Sequence, residues 1–320
     1  MKINIGYSCD ESYVMYTGIS MISMFENNKD VEDLTVYLFS KNITDTSIQQ
    51  LSDIANEYGR KFVNIPLSTI LYDLNVKETE RHIITVYAKL FFSRIDEIEK
   101  IIYLDSDTIV NSSLREMWSI DLRNNLVAGV ETFSVKVKNE LGLTKGDKFI
   151  NDGVVVLNLK KLRSENMEQN FLQFINQYKG APPFLSEGTI NVVCKGQIKT
   201  IHPKFNLMSG LLTIQNRSYY KSENLGGYYN DATINEAIRN PVVIHYLAAF
   251  FNRPWDKNCR HPLKNIYLKY KEMSPWCEVP LTDKKLKLRL RLIGFMIDNL
   301  PDQIFVLLRR ISSFIKTKNH

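Results

Sequence analysis

Lys100-Ile101-Ile102-Tyr103-Leu104-Asp105-Ser106-Asp107 reads as a five-residue apolar strand followed at once by two aspartates one residue apart. A continuous apolar run of this kind marks a strand buried on both faces, as in a parallel sheet covered by helices. In open α/β sheets, ligands bind in the crevice outside the carboxyl ends of the strands. Asp105 and Asp107 therefore set two hard oxygen donors, with Ser106 between them, on the edge where a ligand would lie. Such a pair suits Mg²⁺ or Mn²⁺ and leaves positions for water and phosphate oxygens. Spacing alone does not separate it from a polar strand exit, because a chain this long holds about one such pair by chance at average composition.

Working outward, the pattern on either side supports a wound sheet. Residues 3–7 read as a buried strand ending in the polar turn Ser8-Cys9-Asp10-Glu11-Ser12. Ile19, Ile22, Ser23 and Phe25 then share a helical face that stops at Asn27-Asn28. Residues 34–39 form the next strand. Asn42-Ile43-Thr44-Asp45 opens a helix with Ile48, Leu51, Ile54 and Ala55 inward, and residues 62–65 are a third strand. A helix over about 85–95 leads into the quoted strand, and residues 127–130, 154–159 and 242–244 supply more. Pro182-Pro183 and the Gly226-Gly227 loop punctuate the second half. Strands alternating with helices at this spacing predict βαβ units, hence an α/β fold with a mostly parallel, Rossmann-like central sheet flanked by helices. The predicted division is a catalytic domain over 1–262 and a helical extension over 263–320.

Composition narrows the function class. The 320 residues are 44% hydrophobic and 24% charged, close to soluble globular averages, which argues against disorder, collagen and a disulfide scaffold. Cys9, Cys194, Cys259 and Cys277 are widely spaced with no CxxC pair, which fits a reducing cytoplasm. The first residues do not read as a signal peptide, since Cys9-Asp10-Glu11 interrupts the apolar start. No apolar run approaches the roughly 18 residues of a membrane span. From residue 283 onward, nine Lys or Arg face three Asp, which accounts for the whole net charge of +6. The body is thus neutral, without a basic and aromatic stripe, a zinc finger or an RNP signature, and nucleic acid is not an expected partner.

A second strand ends in a potential ligand: Val242-Val243-Ile244-His245-Tyr246, with Arg253-Pro254-Trp255 soon after. His245 reads either as a hydrogen-bonded structural residue or, with Asp105 and Asp107, as the third member of a metal site, where imidazole favours Mn²⁺ over Mg²⁺.

Taken in order, these segments resemble glycosyltransferase family 8, the retaining enzymes that include bacterial lipopolysaccharide galactosyltransferases and glycogenin. Asp10-Glu11-Ser12-Tyr13 is similar to the family's nucleotide turn. Arg81-His82-Ile83 and Tyr87-Ala88-Lys89-Leu90 are similar to its next signature, and Tyr103-Leu104-Asp105-Ser106-Asp107 to its metal motif. Asn151-Asp152-Gly153-Val154 with Asn158-Leu159-Lys160-Lys161, then Ser186-Glu187-Gly188-Thr189-Ile190-Asn191, follow. Phe205-Asn206, His245-Tyr246 and Arg253-Pro254-Trp255 complete a collinear series over about 3–260.

The resemblance implies a GT-A fold and transfer of a hexose from a UDP-sugar to a glycan or glycoconjugate acceptor, with retained anomeric configuration. It implies Mn²⁺, with Mg²⁺ as the alternative, held by Asp105, Asp107 and His245. A divalent cation would neutralise charge on the departing UDP. By the same resemblance Asp10 contacts the uracil, and Ser8, Ser12 and Tyr13 contact the base or ribose. Lys89, Ser106, Ser186 and Arg253 also belong to the nucleotide-sugar site, Arg253 at a phosphate-binding position, and Asn151, Asp152 and Glu187 are the catalytic candidates, the first two near the donor sugar. Lys89 stands in place of a more usual arginine and offers a point charge without a bidentate fork.

Three departures stand out. Ser186-Glu187 replaces an Asp-Gln pair, so one carboxylate is missing and another takes the place of an amide. A carboxylate there acts as nucleophile, as stabiliser of an oxocarbenium-like transition state, or as a hydrogen-bonding positioner. Asp152 occupies a position that is usually small. The segment from His245 to Trp255 is two residues longer than the family pattern and lacks its glycine; Phe250 and Phe251 within it read as lid or as core.

The tail carries two readings. Lys284 to Arg291 alternates basic and apolar residues, fitting neither a clean helix face nor a core strand, whereas Ile304, Leu307, Leu308, Ile311, Phe314 and Ile315 share one helical face with Arg309, Arg310, Ser313 and Lys316 opposite. A basic amphipathic helix lies on an anionic membrane surface, here the inner face of the cytoplasmic membrane, where it would suit a lipid-linked acceptor; alternatively it packs on the catalytic domain with its charges solvated. Two rival functions are a sugar nucleotidyltransferase and a non-catalytic or hydrolytic UDP-sugar-binding relative. The first usually has a glycine-rich basic loop after the first strand, which residues 8–13 lack; the second is favoured by Ser186 and opposed by the intact aspartate pair.

Overall fold

The computed structural model describes residues 1–70, 84–132, 135–222, 229–247 and 251–317. The described residues form ten strands: β1 (Lys2–Asp10), β2 (Asp33–Lys41), β3 (Lys61–Pro66), β4 (Lys100–Leu104), β5 (Thr108–Val110), β6 (Val127–Glu131), β7 (Ile150–Asn158), β8 (Ile198–Thr200), β9 (Leu207–Met208) and β10 (Val243–His245). Seven form the central sheet in the order β3-β2-β1-β4-β7-β6-β8, and β5-β10-β9 form a small second sheet. The pairs β1–β2, β1–β4, β2–β3 and β6–β8 are parallel, while β7 is antiparallel to both neighbours. The mostly parallel, helix-flanked sheet expected from the sequence is therefore present. The reversal of β7, the small second sheet and the short strands β5, β8 and β9 lie outside that expectation.

Strand alternation divides the core in two. Ile102 and Leu104 of β4 join Ile3, Ile5 and Tyr7 of β1 on one face. Ile101 and Tyr103 point the other way, among Phe39, Phe91 and Phe92. The helix Val14–Glu26 is buried along almost its whole length, and Tyr267 and Tyr270 of the helix Lys264–Glu272 belong to the same core as β1. The helix Asp45–Glu57 starts at Thr44, whose hydroxyl accepts from Ser47 N, and buries Leu51, Ile54 and Ala55 as its periodicity requires.

Two expectations need correction. Residues 85–95 are not an α-helix but two 3₁₀ segments, Ile84–Val86 and Ala88–Arg94. They carry buried bulky residues (Tyr87, Leu90, Phe91 and Phe92) at positions that packing dictates more than propensity. The alternating basic segment resolves into extended chain over 284–287 and a helix Leu288–Asn299, followed by a helix Asp302–Thr317. Ile293, Ile297 and Phe305 pack against Phe251, so Phe251 is core; Phe250, like Arg81-His82-Ile83 and Gly226-Gly227, lies outside the described residues. On the helix Asp302–Thr317 Phe305 turns inward, and Ile304, Leu307, Leu308 and Ile311 of the expected apolar face are exposed; the side chains of Phe314 and Ile315 lie outside the described residues. Among the described residues, no helix is long and apolar enough to cross a membrane.

Candidate active site and metal centre

β1 and β4 are parallel neighbours from which the strand order departs in opposite directions, and their carboxyl ends open a crevice. Asp10 closes β1, and its carboxylate accepts from Ser12 N at 3.0 Å, fixing the turn that carries Tyr13. Asp105 follows β4. Because β7 runs the other way, its first residues reach the same edge, and Gly153 O accepts from Asp105 N at 2.7 Å. The small sheet supplies the last component: β5 begins just past Asp107, and antiparallel pairing sets His245 of β10 opposite Thr108.

A cavity of about 470 Å³ lies along this edge. Ser8, Asp10 and Tyr13 line one part; Lys89, Asp105, Ser106 and Asp107 line another; Asp152, Ser186 and Glu187 line a third. Four residues singled out in the sequence are not in its lining. Ser12 is exposed and donates to Asp10; His245 is fully buried; Arg253 holds Asp107; Asn151 donates to Glu187 Oε2 at 2.7 Å.

Asp105, Asp107 and His245 each bring a ligand atom within 4.8 Å of the others. His245 Nε2 is 3.1 Å from Asp107 Oδ1 and 3.9 Å from Asp105 Oδ2. The neighbours of His245 fit metal ligation. Its Nδ1 lies 3.0 Å from Asn206 Oδ1, and the Asn206 amide donates to Asn151 Oδ1 at 2.8 Å. The Asn206 oxygen thus accepts from Nδ1–H, leaving the Nε2 lone pair free to ligate. Nε2 is buried and makes no hydrogen bond among the described residues. Gly153 completes the cradle: a Cβ there would sit 2.4 Å from His245 Cε1 and 2.5 Å from Asp105 Oδ2. Two carboxylates and an imidazole with this support constitute a divalent-metal site; the donor set accommodates both Mn²⁺ and Mg²⁺.

The surrounding charges are strongly coupled. Burial would push the Asp107 carboxyl up, but His245 and Arg253 outweigh it and hold it well below the usual carboxylate range. Lys89, 3% exposed, reaches Asp105 Oδ1, Asp152 Oδ2 and Asp152 O, each at 3.2 Å. Burial alone would lower its pKa, yet Asp105 and Asp152 raise it well above the ordinary lysine value. Glu187 is pushed up to about 8, by burial first and by Asp152 second, against the pull of Asn151 and Lys89. Ser186 Oγ donates to Asp152 Oδ2.

The sequence did not reveal every component. Tyr103 donates to Asp105 Oδ1 at 2.9 Å and lies 2.9 Å from Ser8 Oγ; alternation along β4 was the signal for it, since it shares a strand face with Asp105. Asn206 stood in the collinear series of resembling segments, but nothing in the sequence indicated its contact with His245. Phe184 and Leu185, which also line the cavity, sit in the left-handed region at φ 60° and 51°, conformations that cost on the order of 1–3 kcal/mol each and gather at functional sites. Phe184 caps and Leu185 opens the helix Leu185–Val193, which approaches so closely that a Cβ on Gly188 would lie 1.9 Å from Pro183 O.

The family model described as glycosyl transferase family 8 matches residues 4–259. A Haemophilus influenzae relative, named only as a candidate glycosyltransferase, is 29% identical over 288 residues, 87% of this chain and 81% of that one. The lipopolysaccharide 1,3-galactosyltransferase of Salmonella typhimurium is 21% identical over 305 residues, 91% and 84% of the two chains. Among solved structures, galactosyltransferase LgtC in complex with donor and acceptor sugar analogs superposes with a TM-score of 0.69 at 19% identity, covering 90% of this chain and 99% of that one. The last likeness carries the GT-A fold.

Proposed function

Since this chain belongs to glycosyl transferase family 8, and is thus a glycosyltransferase, we propose that it transfers glucose or galactose from a UDP-hexose, with retention, to a saccharide or lipid-linked glycan of the bacterial surface. The observation that carries this reading is the meeting of Asp105, Asp107 and His245 at a cavity whose other wall is Ser8, Asp10 and Tyr13. That arrangement suits a ligand with a diphosphate at one end and a base at the other. The two relatives named above, of which one is a lipopolysaccharide galactosyltransferase, support the acceptor class.

Asp105, Asp107 and His245 would hold the cation, Mn²⁺ by preference for a site with imidazole, and the bound ion would neutralise charge on the leaving diphosphate. The protein's own groups do the rest. Asp10 and Tyr13 bind base and ribose beside Ser8 and Ser12. Lys89 keeps Asp105 and Asp152 in position and adds fixed positive charge next to Ser106. Arg253, now on Asp107, stands ready for a donor phosphate. Asn151, Asp152, Ser186 and Glu187 orient the sugar. Burial and Asp152 push the Glu187 carboxyl up to about 8, which with the Asn151 amide on its Oε2 favours a hydrogen-bonding positioner over a nucleophile. The domain boundary near 262 and the attachment of the basic extension to the inner face of the cytoplasmic membrane belong to the same proposal, supported by the exposed apolar residues of its two helices.

The test is UDP release from a panel of UDP-hexoses and UDP-N-acetylhexosamines without acceptor, with Mn²⁺ and with EDTA. Slow, metal-dependent hydrolysis of UDP-glucose or UDP-galactose is expected. Silence across the panel together with no measurable UDP binding would end the donor assignment.

A further inference from the structure

A second cavity, about 520 Å³, lies between the catalytic body and the C-terminal extension. Arg260 from the body and Lys284, Lys285 and Arg291 from the extension line it, with Leu286 and Phe295 beside them. Among the described residues, no carboxylate lines it. Arg260 is engaged by Asp298, whereas Lys284, Lys285 and Arg291 have no carboxylate partner among the described residues. Gathering like charges around a concavity is unfavourable unless an anion enters it, and a concave wall of one sign concentrates counter-ions.

The fold holds these cations together. Thr282 N donates to Trp255 O and Lys257 N to Thr282 O, each at 2.8 Å, and Asn252 donates to Lys284 O at 2.9 Å. The Arg260–Asp298 pair ties the body to the helix Leu288–Asn299, on which Arg291 and Phe295 are one turn apart. Ile293 and Ile297 anchor that helix inward on Phe251. Its other side presents Leu288, Leu292 and Phe295, exposed at 68%, 54% and 62%. A row of unpartnered cations bordered by exposed apolar side chains is complementary to an anion that carries an apolar chain.

We propose that this cavity is a phosphate-binding site, distinct from the donor site, that takes the phosphate monoester or diphosphate head of a membrane lipid. The proposal deepens the membrane-surface reading of the extension and does not depend on the transferase reading. Lys284, Lys285 and Arg291 supply the charge and hydrogen bonds to the phosphate oxygens. Leu292 and Phe295 rest against the acyl region. Asn252, which holds the cavity's rim, adjoins Arg253, so a lipid head bound here is close along the chain to the residue on Asp107.

Three full-length proteins test it by sedimentation with vesicles of phosphatidylcholine alone or with about 20 mol% phosphatidic acid, a phosphate monoester: wild type, Lys285→Gln/Arg291→Gln, and the control Lys287→Gln/Arg289→Gln. The control removes the same charge outside the cavity lining. Wild type should bind the anionic vesicles at least about tenfold more tightly than neutral ones; the cavity variant should lose about tenfold, and the control no more than about threefold. Equal losses in both variants would mean a diffuse field and overturn the site, as would wild-type binding by the cavity variant. Inorganic phosphate and pyrophosphate, titrated without vesicles, separate the sources. Saturable pyrophosphate binding that the cavity variant lacks, with no preference for anionic vesicles, would overturn the lipid and leave a soluble phosphate ester. Thermal midpoints show that the variants fold, and no step requires sugar transfer, so a failed donor assay and a failed lipid assay remain separate results.

Discussion

The Ser186 hydroxyl donates to Asp152 Oδ2, joining the start of the helix Leu185–Val193 to the start of β7 across the cavity. Against the family pattern that the sequence resembles, a carboxylate is absent at 186 and present at 152 and 187; we propose that Asp152 takes over the role of the absent one, with Lys89 as its counter-charge.

Asp152→Ala is accordingly expected to slow donor turnover by on the order of 10²-fold, the scale for loss of one positioned polar group in a water-poor site. Adding Ser186→Asp to that variant restores the carboxylate from the opposite wall and recovers at least about tenfold. Initial rates of UDP release for the single and double variants check this; a double variant no faster than Asp152→Ala would count against relocation.

Asp105→Asn or Asp107→Asn removes an oxygen donor and its charge, and metal-dependent turnover should fall by about 10²-fold or more. Asn206→Ala spares all three ligands but frees the imidazole to rotate, so metal affinity should weaken by about 10- to 100-fold. Rates of UDP release read the first, and calorimetric titration with Mn²⁺ the second. Gly153→Ala belongs to the same series, since its new methyl would collide with His245 and Asp105.

Lys89→Met leaves Asp105 and Asp152 without their buried counter-charge, which costs about 3–5 kcal/mol, a fall in thermal midpoint on the order of 10 °C for a chain of this size. The folded-state pKa of Lys89 is raised, so its contribution is fully present below the ordinary lysine value and is lost only as pH climbs through the folded one. Melting curves at pH 6 and pH 8 should therefore show the same deficit.

Glu187 gives a pH signature of the same sign in a lower window. Its carboxyl is raised from 4.5 to about 8, so between those values the folded chain keeps a proton that the unfolded chain has released, and stability falls as pH rises across the window. Glu187→Gln should flatten that slope. Turnover by the wild type should decline above about pH 8 as the donor hydrogen is lost, while Glu187→Gln keeps a neutral-pH rate within about threefold and loses the decline. A nucleophilic carboxylate would instead make Glu187→Gln nearly inactive at every pH.

Much of the site was legible because its parts are local. Apolar runs that end in polar turns located β1 and β4, and with them Asp10, Asp105 and Asp107 at the carboxyl ends. The helix after Thr44 followed from cap and periodicity together. Where packing outweighs local preference the sequence misled: the 3₁₀ segments around Lys89 read as one helix, and strands as short as β5, β8 and β9 carry too few residues to show a period.

The tail illustrates the same limit. Its basic charge is plain in composition, but which apolar residues turn inward depends on Phe251, a partner distant in the chain. Phe305 is buried while Leu307 and Leu308 are exposed, a choice that periodicity within one helix does not make.

By itself the sequence determined the wound sheet, the neutral body with its basic extension, and the residues able to hold a divalent cation, since each follows from side-chain chemistry and near-neighbour spacing. Tertiary structure decided what those residues do to one another. The reversal of β7 brings Asn151, Asp152 and Gly153 to the ends of β1 and β4, and the pairing of β5 with β10 delivers His245 to Asp107. Pairing between strands far apart in the chain is fixed by burial and hydrogen bonding over the whole sheet, and those contacts alone set the charge on Asp107, Lys89 and Glu187.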